Sequence, residues 1–199
     1  LSIIDFWFSI GSTYSYLTVM RLHEVETASG VTFNWRPFNV RDVMVEQNNI
    51  PFRGKPLKTA YMWRDIERRA DRYGLSPKVP APYPLPGLDL ANLVATLAAE
   101  EGWVEDYTRA TYRRWFEEGQ PSGEDPNLSE SLTEIGQDIE RVLSEAQADR
   151  IERALTASTK EAIKLGVFGS PSFVIKSEVF WGDDRLNDAM AWTRHEKSN

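Results

Sequence analysis

Two short segments of this 199-residue chain carry residue types that could do chemistry. They are Ser12-Thr13-Tyr14-Ser15, within FSIGSTYSYL near the start, and Gly169-Ser170-Pro171, within GVFGSPSFVI near the end. An apolar run enters the first through Gly11, which allows a tight turn, and Ser12 stands where a helix should begin. A hydroxyl there can cap the helix by accepting from a free backbone amide, or it can donate a hydrogen bond to an anion held at the turn. Pro171 falls between a helix end and a strand, where either an ordinary turn proline or a cis peptide bond fits. The chain has no cysteine, so any sulfur chemistry at Ser12 would belong to a bound ligand.

Composition removes several alternatives. Thirty acidic residues against 23 basic ones give a net charge of -7, and no basic stripe marks a nucleic-acid surface. Without cysteine there is no disulfide, thiolate metal site or protein-borne thiol nucleophile. With only His23 and His195, a His-rich zinc site is not expected, and a Ser-His-Asp triad would need one of the two beside Ser12. No run of about 18 apolar residues is present. LSIIDFWF reads as a strand, not a secretory signal, and a cytoplasmic enzyme is the expectation.

The elements that must position the two segments follow from periodicity. Residues 2–9 alternate and are rich in Ile, Phe and Trp, as in a strand. A helix should run from Ser12 or Thr13 to about Ser29 and stop at Gly30. VTFNWRPF alternates as a second strand ended by Pro37, which makes a parallel crossover unit. A loop holding Pro51, Gly54 and Pro56 precedes a helix over Lys58–Tyr73. That helix has Met62, Ile66, Ala70 and Tyr73 on one side and a solvated face of Arg64, Asp65, Arg68, Arg69 and Arg72, with Asp65 and Arg69 at ion-pair spacing.

Five prolines bar regular helix from Pro77 to Gly87. LDLANLVATLAAEEG reads as a buried helix and WVEDYTRATYRRWFEEG as one with a single apolar side. Asn127 with Glu130, and Ser144 with Gln147, resemble capping boxes. A helix over 128–143 and a longer one ending at Gly166 follow. SFVIK, a turn near Ser177, EVFW and a terminal helix from about Arg185 complete the chain. The layout is α/β: a thioredoxin-like βαβ…ββα sheet formed by residues 1–55 and 166–199, with a large all-helical insertion over 56–165.

DFWFSIGSTYSYL, KTAYMWRDIERRA, GVFGSPSFVI and VFWGDDRL together resemble the 2-hydroxychromene-2-carboxylate isomerase family. That family is close to the kappa-class glutathione transferases in the DsbA-like branch of the thioredoxin fold. The resemblance runs in order over nearly the whole chain. This chain departs from it in having Thr13 where proline often follows the active-site serine, Ser9 at a position that is often acidic or an amide, and Asp42-Val43-Met44 where a lysine can occur.

The resemblance implies glutathione as cofactor, with Ser12 donating to its sulfur while the adjacent amides and helix dipole favour the thiolate. It implies glutathione contacts from Asn49, Lys58, Ser170 and Pro171, and a turn at Gly182-Asp183-Asp184 holding the γ-glutamyl end. Either Asp183 or Asp184 would pair the ammonium; the plainer role of an aspartate there is a helix cap. Arg53 and Tyr83 match an organic-substrate pocket, and a guanidinium suits a substrate carboxylate. The implied activity is a glutathione-dependent cis-trans isomerase of an aromatic 2-oxo or hemiketal acid, with no nucleic-acid or membrane partner and an assembly that admits a homodimer. A kappa-like transferase and a redox-inactive thioredoxin-like peptide-binding protein are the alternatives.

Overall fold

The computed structural model describes residues 3–195, with the His195 side chain outside the described set. Strand β1 (Ile3–Phe8) is central. It pairs in parallel with β2 (Thr32–Pro37), placing Phe6 beside Trp35, and antiparallel with β3 (Ser172–Ile175), placing Phe6 beside Phe173. Strand β4 (Glu178–Trp181) adds beyond β3, giving the order β2-β1-β3-β4. A strand covered on both faces must be apolar nearly throughout. IIDFWF meets that demand, with Ile4, Phe6 and Phe8 on one face and Trp7 on the other, all shielded from solvent.

Helices α1 (Ser15–Val19), α2 (Leu22–Ser29) and α10 (Leu186–His195) cover the first face, where Leu17, Leu22, Leu186 and Ala189 join Phe6 and Phe173. Helices α3 (Val40–Glu46) and α9 (Asp149–Leu165) cover the second, packing Val40, Val43 and Ala162 with Trp7 and Val174. Between α3 and α9 run α4 (Pro56–Arg72), α5 (Leu88–Glu101), α6 (Val104–Arg113), α7 (Asn127–Glu134) and α8 (Ile139–Ala146). The apolar core does not stop at the sheet. Ala91 and Ala95 of α5, Tyr112 of α6 and Phe116 belong to the same cluster as Phe6 and Trp35.

Four local expectations are corrected. The helix expected over 13–29 is two helices, parted at Met20 and Arg21, where the Arg21 Nε donates to the Leu17 carbonyl (2.8 Å) and its guanidinium bonds Asp183. The loop after β2 contains α3, whose start is capped by the Asn39 side chain accepting from the Arg41 and Asp42 amides. Neither capping box forms. Asn127 is buried in α7, donating to the Thr111 and Gln120 carbonyls, and Ser144 lies inside α8, which Asp138 caps. Finally, α6 runs into a π-helical turn, Arg114–Glu118, which apolar spacing alone does not reveal. The left-handed residues Gly30 and Gly166 do close α2 and α9 as expected.

Candidate active site

The two chemically suggestive segments meet. β1 delivers the first and the start of β3 delivers the second, so the antiparallel β1–β3 pairing places Ser12 beside Ser170. The Ser12 hydroxyl donates to the Ser170 carbonyl at 2.6 Å. The Ser9 amide donates to Ser170 Oγ (2.9 Å), which is also bonded to Ser15 Oγ (2.8 Å). The Ser170–Pro171 peptide is cis. Ser12 and Ser170 are half-buried at the edge of the fold, whereas Ser9 and Ser15 are buried beneath them.

Ser12 is not a helix cap. Tyr14 occupies the position before α1, and no side chain caps it. The Thr13 hydroxyl donates to Met62 Sδ instead (2.9 Å). With five residues, α1 is also too short to carry a full helix dipole, so the expected dipole support for an anion is largely absent. The Ser12 hydroxyl itself must supply most of any stabilisation.

The turn before α10 is tied to the same place, because the Gly182 amide donates to the Pro171 carbonyl (2.9 Å). Its two aspartates differ completely. The Asp183 carboxylate is fully enclosed, accepting from Thr18 Oγ1 (2.8 Å), Arg21 (2.6 Å) and Arg69 (2.5 Å). Arg21 also stacks on the Tyr73 ring at 3.5 Å. The Tyr73 hydroxyl is a fourth donor at 3.4 Å, so this buried carboxylate has no lone pair to spare for a ligand ammonium. Asp184 is more than half exposed, with Arg185 3.6 Å away, and is the carboxylate a ligand can reach. Arg69 therefore pairs with Asp183 and not with Asp65, which instead accepts from Tyr14 (2.9 Å) and Arg68.

A third group forms an aromatic wall. Phe52 and Trp63 both meet the Tyr83 ring edge-on, at 6.3 and 6.0 Å. Trp63 leads through Phe116 to Tyr16 of α1, stacked at 4.3 Å. The Lys58 ammonium lies over the outer face of Phe52 at 5.5 Å. Asn49 and Arg53 are exposed on the segment joining α3 to α4. Thus Lys58 and Tyr83 share one wall with Phe52, while Asn49 and Arg53 flank it in sequence without side-chain hydrogen bonds of their own among the described residues.

The phenols around α1 are held neutral. Burial, then the hydrogen bond to Asp65, pushes Tyr14 well above the ordinary tyrosine range. Burial and the neighbouring Glu117 do the same for Tyr16, whose hydroxyl donates to Glu117 at 3.0 Å. His23 is exposed and pairs with Glu105 (3.2 Å), so the Ser12 hydroxyl has a carbonyl for its partner and not this imidazole. No group of three metal-ligating side chains occurs among the described residues, and no helix there is long and apolar enough to cross a membrane.

Two site residues escaped the sequence reading. Asn92 of α5 holds the backbone of Ile10 from both sides, accepting from its amide and donating to its carbonyl, each at 2.8 Å. Tyr112 of α6 donates to the Ser12 carbonyl (2.9 Å) and reaches that of Ser9 (3.2 Å). A lone amide in the otherwise apolar LDLANLVATL was the available signal for Asn92. Nothing distinguished Tyr112 from a packing aromatic.

The description "DSBA-like thioredoxin domain" matches residues 3–190. The chain belongs to that family. A 2-hydroxychromene-2-carboxylate isomerase of Pseudomonas putida is 29% identical over 190 residues, covering 92% of this chain and 90% of that protein. A glutathione S-transferase kappa 1 of Caenorhabditis elegans is 25% identical over 198 residues, covering 92% and 87%. A solved 2-hydroxychromene-2-carboxylate isomerase superposes with a TM-score of 0.86 at 23% identity, over 98% of both chains. At that identity the superposition establishes the shared fold. Within this DSBA-like chain, serine stands at residue 12 and no cysteine is present anywhere.

Proposed function

We propose that the protein is a glutathione-dependent isomerase of aromatic 2-oxo or hemiketal acids. The observation that carries the proposal is the Ser12 hydroxyl beside the Ser170 backbone, in a cysteine-free chain whose relatives include isomerases and kappa-class transferases over nearly their full length. The donor set fits a tripeptide bearing two carboxylates and one ammonium. Asp184 offers an exposed carboxylate, and Lys58 and Arg53 offer exposed cations. Asp183 leaves the ligand list and becomes the internal anchor of the turn that presents Asp184.

Bound glutathione would supply a sulfur nucleophile that adds reversibly to a conjugated double bond, allowing rotation before it leaves. The chain's task is to keep that sulfur ionised and to orient the acid. A free thiol has a pKa of about 8.5, and lowering it by one to two takes about 1.4–2.7 kcal/mol. A hydrogen bond to a charged acceptor contributes about 1.5–3 kcal/mol, but Ser12 must give up its neutral bond to the Ser170 carbonyl, worth about 1. The balance favours a lowering nearer one than two. Arg53 would hold the substrate carboxylate, while Phe52, Trp63 and Tyr83 offer the flat apolar wall that an aromatic ring requires.

Product analysis tests this reading. Chromene carboxylates should isomerise only when glutathione is present, and glutathione should be recovered unchanged. A stable glutathione adduct would instead assign a transferase, and no glutathione affinity by calorimetry would leave the peptide-binding alternative.

A further inference from the structure

The helical layer reaches the active turn with one fully buried phenol. Four hydroxyls (Ser12, Ser15, Ser170 and Tyr112) gather there. The Ser9 amide can only donate, so Ser170 Oγ accepts from it at 2.9 Å, and Ser170 Oγ and Ser15 Oγ share a hydrogen bond at 2.8 Å. At the far end the Ser12 carbonyl can only accept, and Tyr112 donates to it at 2.9 Å. The same phenol reaches the Ser9 carbonyl at 3.2 Å, so it spans both ends of the 9–12 turn while Ser170 Oγ holds the Ser9 amide.

We propose that Tyr112 is a positioning residue for Ser12, fixing the 9–12 turn so that the Ser12 hydroxyl is aimed at the cleft beside Ser170. Three observations support this assignment. Tyr112 is wholly enclosed, as are Ser9 and Ser15, so water cannot replace its hydrogen bond. Asn92 independently clamps Ile10 in the same turn. And α1, being a single short helix without a side-chain cap, does not itself hold Ser12. Without the phenol proton the turn loses a donor that fixes the Ser12 carbonyl, at a cost to its native geometry, and a displaced Ser12 backbone would carry the Ser12 side chain with it. The link to sulfur ionisation rests on the glutathione reading above; the link to turn geometry does not.

The experiment compares Tyr112→Phe with Tyr107→Phe. Tyr107 is an equally buried phenol, but its hydroxyl goes to the Ala91 carbonyl at 3.4 Å, away from the turn. Both variants keep the ring. Amide hydrogen exchange across residues 9–13 of the unliganded protein should quicken in Y112F and stay at the wild-type rate in Y107F. With glutathione bound, ultraviolet titration of the sulfur should move up by about one pH unit in Y112F, a tenfold smaller thiolate fraction, and not move in Y107F. Unchanged exchange across 9–13 in Y112F overturns the proposal whether or not glutathione binds. Faster exchange with the sulfur unmoved overturns the link to ionisation. If wild type fails to lower the sulfur pKa, the glutathione reading fails, and the exchange data still judge the positioning role.

Discussion

Ser12 and Ser170, 158 positions apart in the chain, are joined by a 2.6 Å hydrogen bond from a side-chain hydroxyl to a backbone carbonyl. The geometry has a consequence for reactivity. The hydroxyl is spent on a neutral acceptor until a better one arrives, so an anionic sulfur has only the difference between the two bonds to gain. That difference sets the scale of every effect expected at residue 12.

Ser12→Ala should therefore lower kcat/KM by about tenfold or somewhat more, the size of a one-unit change in sulfur ionisation. Melting temperature should move by only a few degrees, since the Ser170 carbonyl that loses its donor is half-buried and open to water. Steady-state kinetics and a thermal melt on the same preparation check both halves.

Asp183 and Asp184 should separate stability from binding. Asp183→Asn removes one charge from beneath two guanidiniums in an enclosed site, and breaking such a pair costs about 3–5 kcal/mol. Asp184→Asn touches an exposed carboxylate and should leave the melt unchanged while weakening glutathione binding. Denaturant unfolding and calorimetry distinguish the two; equal effects of both variants on stability would contradict the assignment.

Stability should fall at alkaline pH. Burial raises the folded-state pKa of Tyr14, Tyr16, Tyr107 and Tyr112 above the ordinary value of 10.0. Above that value the unfolded chain has lost protons that the native state keeps. The unfolded state then binds fewer protons, and stability decreases as pH rises. The contribution is complete below pH 10 and declines through the alkaline range. For these phenols, tyrosinate absorbance should appear together with loss of helical circular dichroism, not ahead of it.

The close approach of Gly87 and Gly123 gives a prediction about the fold. A Cβ on Gly123 would lie 2.0 Å from the Gly87 carbonyl oxygen, and Gly123 has φ +81°. Backbone cannot swing aside as a side chain can, so Gly123→Ala should destabilise by more than the roughly 1 kcal/mol expected at Gly136, which shares a positive φ but has open space. Paired urea melts provide the comparison.

Much of the fold was legible because the strands are self-declaring. IIDFWF is almost wholly apolar and TFNWRP alternates, their parallel pairing follows from the helical crossover between them, and the glycines that end α2, α5 and α9 sit where the apolar patterns stop. The meeting of Ser12 with Ser170 was legible only because a recognisable fold brings the two segments together. What stayed hidden depends on long-range electrostatics and packing. Arg21 stands at the break between α1 and α2 and pairs with a carboxylate 162 positions away, a partner its local sequence does not show. Asp183 and Asp184 are adjacent and identical in type, yet only the fold decides which is enclosed. Tyr112 acts on Ser9 and Ser12 from a different layer of the protein, and an aromatic pattern on a helix cannot say which hydroxyl finds a carbonyl.

The most direct measurement is the titration of glutathione's sulfur in the saturated complex, followed by thiolate absorbance in wild type and in Ser12→Ala. If Ser12 stabilises the thiolate, the wild-type pKa will lie about one below the free value of roughly 8.5 and return to that value in the variant. A sulfur that titrates alike in wild type, in Ser12→Ala and in free solution would contradict it.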